Sequence, residues 1–332
     1  MPYPQPRRVA IRRRDFIKGL AAVGWPLTAR AKEPLIGYLN AGSAAGNVLN
    51  LIAFRQSLAE AGYVEGRNVA IEYRFAEGRY DRLPAMASEL VRREVTVIVA
   101  TGGTAPALAA KAATAAIPIV FGVTEDPVAL GLVVSFARPG GNATGINFPL
   151  AELAAKELGL LHELVPTARR IGLLVNPNSS PSEAVTKDVM VAASAAGIEI
   201  SVVEADSSRA IATAFATLVH NRADALLIGT DPFFYSRRVQ LATLAARHAI
   251  PAAFTAREFP EVGGLMSYGT SITEVFRQVG AYVGRILKGV KPADLPVLRS
   301  ATFEFVINMS TANALGLEIP PTLLGRADEV IE

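Results

Sequence analysis

Two polar loops hold the residue types best suited to gripping a small ligand. They are Thr101-Gly102-Gly103-Thr104 and Thr124-Glu125-Asp126-Pro127. Each follows an apolar, β-branched run, VTVIVA at 95–100 and IPIVFGV at 117–123. In a parallel α/β sheet such loops sit at the carboxyl ends of strands, where ligands bind. Hydroxyls and backbone N–H groups ahead of a helix form a ready site for a carboxylate or phosphate. The plainer reading is a βα turn with Thr104 as helix cap. The loop lacks the lysine and spacing of a P-loop, so no nucleotide is expected. Asp126 and Asp231 each precede a proline at a strand end. An acidic side chain there either binds a ligand ammonium or caps the following turn. Asn40, Ser43, Asn178 and Ser179 are loop polars that hydrogen-bond a ligand or their own turns. Tyr268, Phe233, Phe234 and Tyr235 offer cavity walls or core packing.

Catalytic chemistry finds little support. His162, His220 and His248 all fall late in helical stretches, where a histidine serves as a C-terminal cation. There is no H-E-x-x-H, G-x-S-x-G or G-x-G-x-x-G. The chain has no cysteine, which rules out a thiolate nucleophile, a zinc–thiolate site, a disulfide framework and a cysteine-anchored lipoprotein. Neither a metal nor a cofactor is expected, and the protein is not expected to be an enzyme.

Alternating strands and helices must position these loops. Strands are expected at 35–39, 69–75, 95–100 and 117–123. Helices are expected from 49, over 80–93, from Thr104 to 116, and from Pro127 toward 138, proline being favoured in a first helical turn. The pattern then restarts, with strands at 170–175, 198–203, 225–229, 250–254 and 264–269. Helices follow over 182–196, 211–220, 237–248 and 273–287. The restart is an internal repeat. Ile36-Gly37 and Ile171-Gly172 lie 135 positions apart, Asn40 and Asn176 136, Thr101 and Thr230 129, and Phe121 and Phe254 133. Their common order argues for two lobes of like topology, each with a mostly parallel sheet. The first lobe is expected over 32–145 plus 270–292, the second over 146–269 plus 293–332.

At 332 residues, 51% of them hydrophobic, the chain is long and apolar enough for two packed domains. Its basic balance is concentrated at one end. Residues 1–31 carry seven cationic side chains against Asp15 alone, a net +6 against +3 for the whole chain, so residues 32–332 are net −3. A nucleic-acid surface is therefore not supported. Arg13-Arg14-Asp15-Phe16-Ile17-Lys18, the uncharged stretch 19–29 and Ala29-Arg30-Ala31 form, in order, a twin-arginine pattern, a weakly apolar run and a small-residue cleavage site. The stretch is too short to span a bilayer. Residues 1–31 are expected to be a twin-arginine signal peptide and the mature protein periplasmic.

IPIVFGVTEDPVALGLVVSFARPGGNATG at 117–145 carries a family resemblance, supported by NVAIEYRFAEGRYDRLPAMASELV at 68–91 and ILKGVKPADLPV at 286–297. Over nearly all of 34–332 the chain resembles ABC transporter substrate-binding proteins, including tryptophan- and tyrosine-type binders. The resemblance implies the α/β type I periplasmic-binding-protein fold, two Rossmann-like lobes joined by a hinge. It also implies an amino-acid-like or carboxylate solute in the cleft and an ABC permease as partner. The chain is expected to act as a monomer. Thr101, Gly102, Thr104 and Thr124 would hold an anionic group, with Asn40 and Ser43 beside them. Asp126 or Asp231 would take an amine, and Asn178, Ser179, Thr230 and Tyr268 would close from the second lobe. A ligand sensor facing a receptor and an exported α/β enzyme are the alternatives.

Overall fold

The β-branched runs become strands in two separate sheets. The structure is a computed structural model that describes residues 33–148, 151–179, 182–300 and 303–332. The expected signal peptide at 1–31 lies outside the described residues. In chain order the strands are β1 (Leu35–Asn40), β2 (Ala70–Phe75), β3 (Val97–Thr101), β4 (Ile119–Val123), β5 (Ala143–Asn147), β6 (Arg170–Val175), β7 (Glu199–Glu204), β8 (Ala225–Ile228), β9 (Ala252–Phe254), β10 (Met266–Thr270), β11 (Leu298–Arg299), β12 (Phe303–Asn308) and β13 (Glu329–Ile331). The first sheet is ordered β11-β5-β4-β3-β1-β2 and the second β13-β12-β10-β9-β8-β6-β7. All pairings are parallel except that of β10 with β12. Because Asn40 is level with Thr101 in the β1–β3 pair, the loops after these strands emerge side by side.

The connecting helices are α1 (Val48–Glu60), α2 (Leu83–Arg92), α3 (Thr104–Ala113), α4 (Ala151–Leu164), α5 (Ser182–Ala196), α6 (Ser208–His220), α7 (Pro232–Ser236), α8 (Arg238–Arg247) and α9 (Ile272–Leu287). One face of the first sheet buries Leu39, Ile98 and Phe121 in an apolar cluster of its own, and one face of the second buries Leu174, Phe215 and Phe254. The remaining faces share a continuous core that includes Tyr38, Phe54 and Val279 as well as Leu161, Ile171 and Leu227. Among the described residues no helix is long and apolar enough to cross a membrane.

The chain passes between the sheets after β5, after β10 and after β11. On the second passage α9 returns to the first sheet and packs on α1. A Cβ on Gly280 would lie 2.5 Å from the Phe54 carbonyl oxygen, and one on Gly284 2.3 Å from Ala61 Cβ, so glycines let the two helices approach this closely. Two expected boundaries move. The first sheet continues past 145 to Asn147. It also takes β11 from the segment 293–332, because Leu298 and Arg299 pair with Ile146 and Asn147. The helix expected from Pro127 does not form. Leu130 N bonds Asp126 O and Leu132 N bonds Pro127 O, which closes single turns without a continuing ladder.

Candidate functional site

The loops at the carboxyl ends of both sheets enclose one cavity, and a buried asparagine organises each half. Asn40 ends β1. Its Nδ2 donates to Thr101 Oγ1 at 3.1 Å, and its Oδ1 accepts from Gly42 N at 2.7 Å. Asn176 follows β6 and repeats the device: its Nδ2 donates to Asp231 Oδ1 at 3.0 Å, and its Oδ1 accepts from Asn178 N. Each asparagine folds its own loop and ties it to the loop two strands on. Asn40 and Thr101 are thus beneath the cavity, not in it. The internal repeat seen in the sequence is realised as this pair of clamps.

Asp231 lies at the centre of the second half. It is 3% exposed. Its Oδ1 caps α7 by accepting from Phe233 N at 2.8 Å. Its Oδ2 accepts from the Tyr80 hydroxyl at 2.6 Å, a bond that crosses from one lobe to the other. Burial pushes the Asp231 carboxyl up, against the hydrogen bonds from Tyr80, Asn176, the Phe233 N–H and Ser179, which favour its ionised form. Tyr80 is raised as well, by burial first and then by the Asp231 charge. Beside this joint, loops of the first lobe run close against α7. A Cβ placed on Gly46 would lie 2.7 Å from Ser236 Cβ and 3.0 Å from Ser236 Cα.

The first half differs from expectation. The Thr104 hydroxyl donates to the Glu125 carboxylate, and the Thr124 hydroxyl reaches the same oxygen at 3.4 Å. Asn147 Nδ2 holds the Glu125 carbonyl at 2.8 Å. The two hydroxyls assigned to a ligand anion are therefore committed to the protein's own carboxylate.

Six of the twelve expected residues, Gly102, Thr104, Thr124, Ser179, Thr230 and Asp231, line the cavity. Ser43 does not, because its Oγ accepts from Gly46 N. Asp126 is exposed and caps its own turn through Val128 N and Ala129 N. Asn178 is exposed beyond the β6 loop. Tyr268 belongs to the opposite side of the second sheet, where strand alternation points it at α4: Lys156 Nζ donates to its hydroxyl at 2.6 Å. Unanticipated lining residues are Asn47, Asn50, Tyr80, Thr255, Phe148, Phe259 and Phe276, and Phe234 and Tyr235 contribute walls. Asp231 is the only charged side chain among the described lining residues. The cavity is an apolar, largely aromatic slot with one buried carboxyl and several neutral donors and acceptors. Such a site suits binding and orientation of a ring-bearing solute.

A curated relative, the tyrosine-binding protein of Clostridioides difficile (strain R20291), is 28% identical over 265 residues, 80% of this chain and 76% of that protein. Among solved structures, an ABC domain in complex with L-Trp from Streptococcus pneumonia is 28% identical, with a TM-score of 0.79 over 90% of this chain and 100% of that one. The ligand-free, open structure of a substrate binding protein with adhesive properties from Clostridium difficile is 25% identical, with a TM-score of 0.62 over 90% and 99%. The two parallel-sheet lobes are those of the type I periplasmic-binding-protein fold. These relatives are described by binding, of tyrosine in one, of L-Trp in another and of a substrate in the third. The family model described as ABC transporter substrate binding protein matches residues 48–331, and the chain belongs to that family.

Proposed function

We propose that the protein is the periplasmic solute-binding component of an ABC importer, and that it closes its two lobes on an aromatic amino acid for delivery to a permease. The observation that carries this reading is the Tyr80–Asp231 bond across a slot walled by Phe148, Phe234, Phe259 and Phe276. The ligand ring lies among these side chains. Its ammonium pairs with Asp231, the lone charge among the described lining residues. Its carboxylate meets neutral donors, namely the Ser179, Thr230 and Thr255 hydroxyls and the first turn of α3. The greater likeness to the L-Trp-bound relative than to the ligand-free, open one supports a closed arrangement here. Closure is a hinge motion through the three crossings, drawn by contacts that only the closed state makes.

Titration calorimetry of the purified chain against single amino acids tests the reading. Aromatic amino acids are expected to bind and aliphatic ones to be weak. Binding of aliphatic ligands alone, or chemical turnover of the bound ligand, would exclude it.

Closure itself is open to a separate check at Gly46. In Gly46→Ala the added methyl comes within 3.1 Å of Ser43 Oγ in its own loop and meets the closer Ser236 atoms only when the lobes are together. Overpacking of this kind costs about 2 kcal/mol, which corresponds to roughly 30-fold weaker binding. The melting temperature of the unliganded protein is expected to stay unchanged. An unaltered affinity would show that the lobes need not meet here.

A further inference from the structure

A carboxylate behind the cavity wall sets the polarity of that wall. Glu125 follows β4, and its carbonyl is pinned from the end of β5 by Asn147 Nδ2 at 2.8 Å. Asn147 is 3% exposed, and the same nitrogen reaches the Val123 carbonyl at 3.3 Å. The loop is thus fixed to the strand that leaves for the second lobe. Glu125 Oε2 accepts the proton of the Thr104 hydroxyl, and the Thr124 hydroxyl is turned to the same oxygen at 3.4 Å. Thr104 is 2% exposed and Thr124 8%. Both line the cavity, and Glu125 does not. A hydroxyl has one proton and two lone pairs. With its proton held by Glu125, Thr104 presents only lone pairs to the cavity, and Thr124 follows it. The backbone here has the opposite polarity. Thr104 and Ala105 open α3, and the first N–H groups of a helix have no partner within it. A Cβ placed on Gly103 would lie 3.8 Å from Pro232 Cγ, so this loop borders the residue that follows Asp231.

We propose that Glu125 is a positioning residue: by taking the Thr104 proton it reserves that hydroxyl for the ligand's ammonium and leaves the α3 N–H groups to the neighbouring carboxylate. The inference rests on the aromatic amino acid reading given above and assigns the residue that fixes which way round the charged end of the ligand is read. The ammonium and carboxylate of an α-amino acid are one carbon apart, so donors and acceptors must interleave within one loop. An ammonium carries three N–H donors. Asp231 already accepts from Tyr80, Asn176 and Phe233 N, so it cannot serve all three. Leaving a buried charged donor unpaired is costly, and Thr104 and Thr124 supply the further acceptors from the opposite lobe. Were Thr104 free to rotate, its proton would turn to the ligand carboxylate and the ammonium would lose an acceptor. A ligand without the ammonium leaves these lone pairs and the Asp231 carboxyl facing one another, and sites built around a ligand donor strongly reject analogues that lack it.

The test is calorimetric titration with L-tyrosine and L-tryptophan, each paired with its analogue lacking only the ammonium, hydroxyphenylpropionate and indolepropionate. In the wild type the amino acid of the better-binding pair is expected to bind at least ~100-fold more tightly than its analogue. In the isosteric Glu125→Gln that ratio is expected to fall roughly tenfold, the size of one hydrogen bond to a charged group, with affinity for the analogue held or improved. If Glu125 only held the loop in place, both ligands would weaken alike and the ratio would stay, which overturns the proposal and leaves the aromatic amino acid reading standing. Thr104→Ser is expected to keep the wild-type ratio and Thr104→Val to lose as much of it as Glu125→Gln. An unchanged ratio in Thr104→Val overturns the proposal even where Glu125→Gln does not fold. The double variant Glu125→Gln/Thr104→Val is expected to lose no more than either alone. A second loss as large as the first would mean that Glu125 acts by charge and not through Thr104, and overturns the proposal too. If neither amino acid binds, or each binds no better than its analogue, both the proposal and the reading beneath it fall.

Discussion

Replacing Asp231 with alanine is expected to weaken ligand binding at least ~100-fold, the largest loss available from one side chain in the cleft. Truncating one partner of a buried, hydrogen-bonded charge pair costs about 2–5 kcal/mol, and Asp231 is the only charge among the described lining residues. Alanine also removes the α7 cap bond to Phe233 N, the Asn176 bond and the Tyr80 bond. Loss of a cap alone costs about 1 kcal/mol of stability. Asp231→Asn separates the two effects. Its side-chain oxygen can still accept from Phe233 N, so the chain should melt near the wild-type temperature while binding an amine-bearing ligand as poorly as the alanine variant. Tyr80→Phe deletes only one crossing bond, worth about 1 kcal/mol, and should weaken binding roughly fivefold. A sign follows for pH. Because burial raises the Asp231 carboxyl, acidification neutralises it above the usual carboxylate range, and affinity for an ammonium should fall as pH drops through that raised value. Calorimetry on the three variants, with thermal melts beside it, decides the matter. Wild-type affinity in Asp231→Asn would remove Asp231 from the ligand's environment.

Asp126 and Asp231 show where the sequence runs out. Both sit in an Asp-Pro pair after a buried strand, and both cap the backbone two residues on. Only Asp231 faces another lobe. The difference lies in what packs opposite, which no local pattern records. The strand-end asparagines were legible as a repeated pair, but their partners slip by one residue between the lobes. Asn40 bonds Thr101, whereas Asn176 bonds Asp231 and not Thr230. Helical spacing over 80–93 concealed Tyr80. Its first residues form a separate 3-10 turn at Tyr80–Arg82, which leaves the tyrosine in the β2-end loop beside the cleft. An aromatic residue just after Gly78 in a strand-end loop was the available signal.

Tyr268 failed for a simpler reason. The strand was read correctly, but a period of two gives two faces without saying which one lies over a helix. Here α4 covers the Tyr268 face, and that helix follows directly on the passage after β5. The aromatic walls were harder still. Phe148 lies on the same passage, Phe259 in the loop after β9, and Phe276 on the returning α9. They meet only because the chain crosses between lobes, so their juxtaposition depends on the tertiary fold and not on any motif.

The returning and crossing elements also bring a group that ligand binding does not use. Glu157, on α4, is 1% exposed, and its Oε1 has no hydrogen-bond partner. Burial alone pushes its carboxyl well above the ordinary value. The folded protein therefore keeps the proton at pH values where the unfolded chain, titrating near about 4.3, has released it. With more protons bound to the folded state, stability falls as pH rises from the unfolded value toward the raised one, by up to about 1.4 kcal/mol per pH unit. Below about pH 4 both states are protonated and the group contributes nothing to the slope. Glu157→Gln removes the titration and Glu157→Leu removes the buried polar group as well. Each is expected to be the more stable protein at neutral pH, the leucine variant by about 1–4 kcal/mol, or roughly 2–6 °C for a chain of this size. The glutamine variant's advantage should shrink to little by pH 4, whereas the leucine variant keeps the part that comes from removing a buried polar group. Melting curves of the wild type and Glu157→Gln recorded from pH 4 to 8 make the comparison. Curves that run parallel across the whole range would mean that the carboxyl is solvated or paired in solution. Ligand affinity should be the same in all three proteins, since Glu157 lies outside the cavity lining.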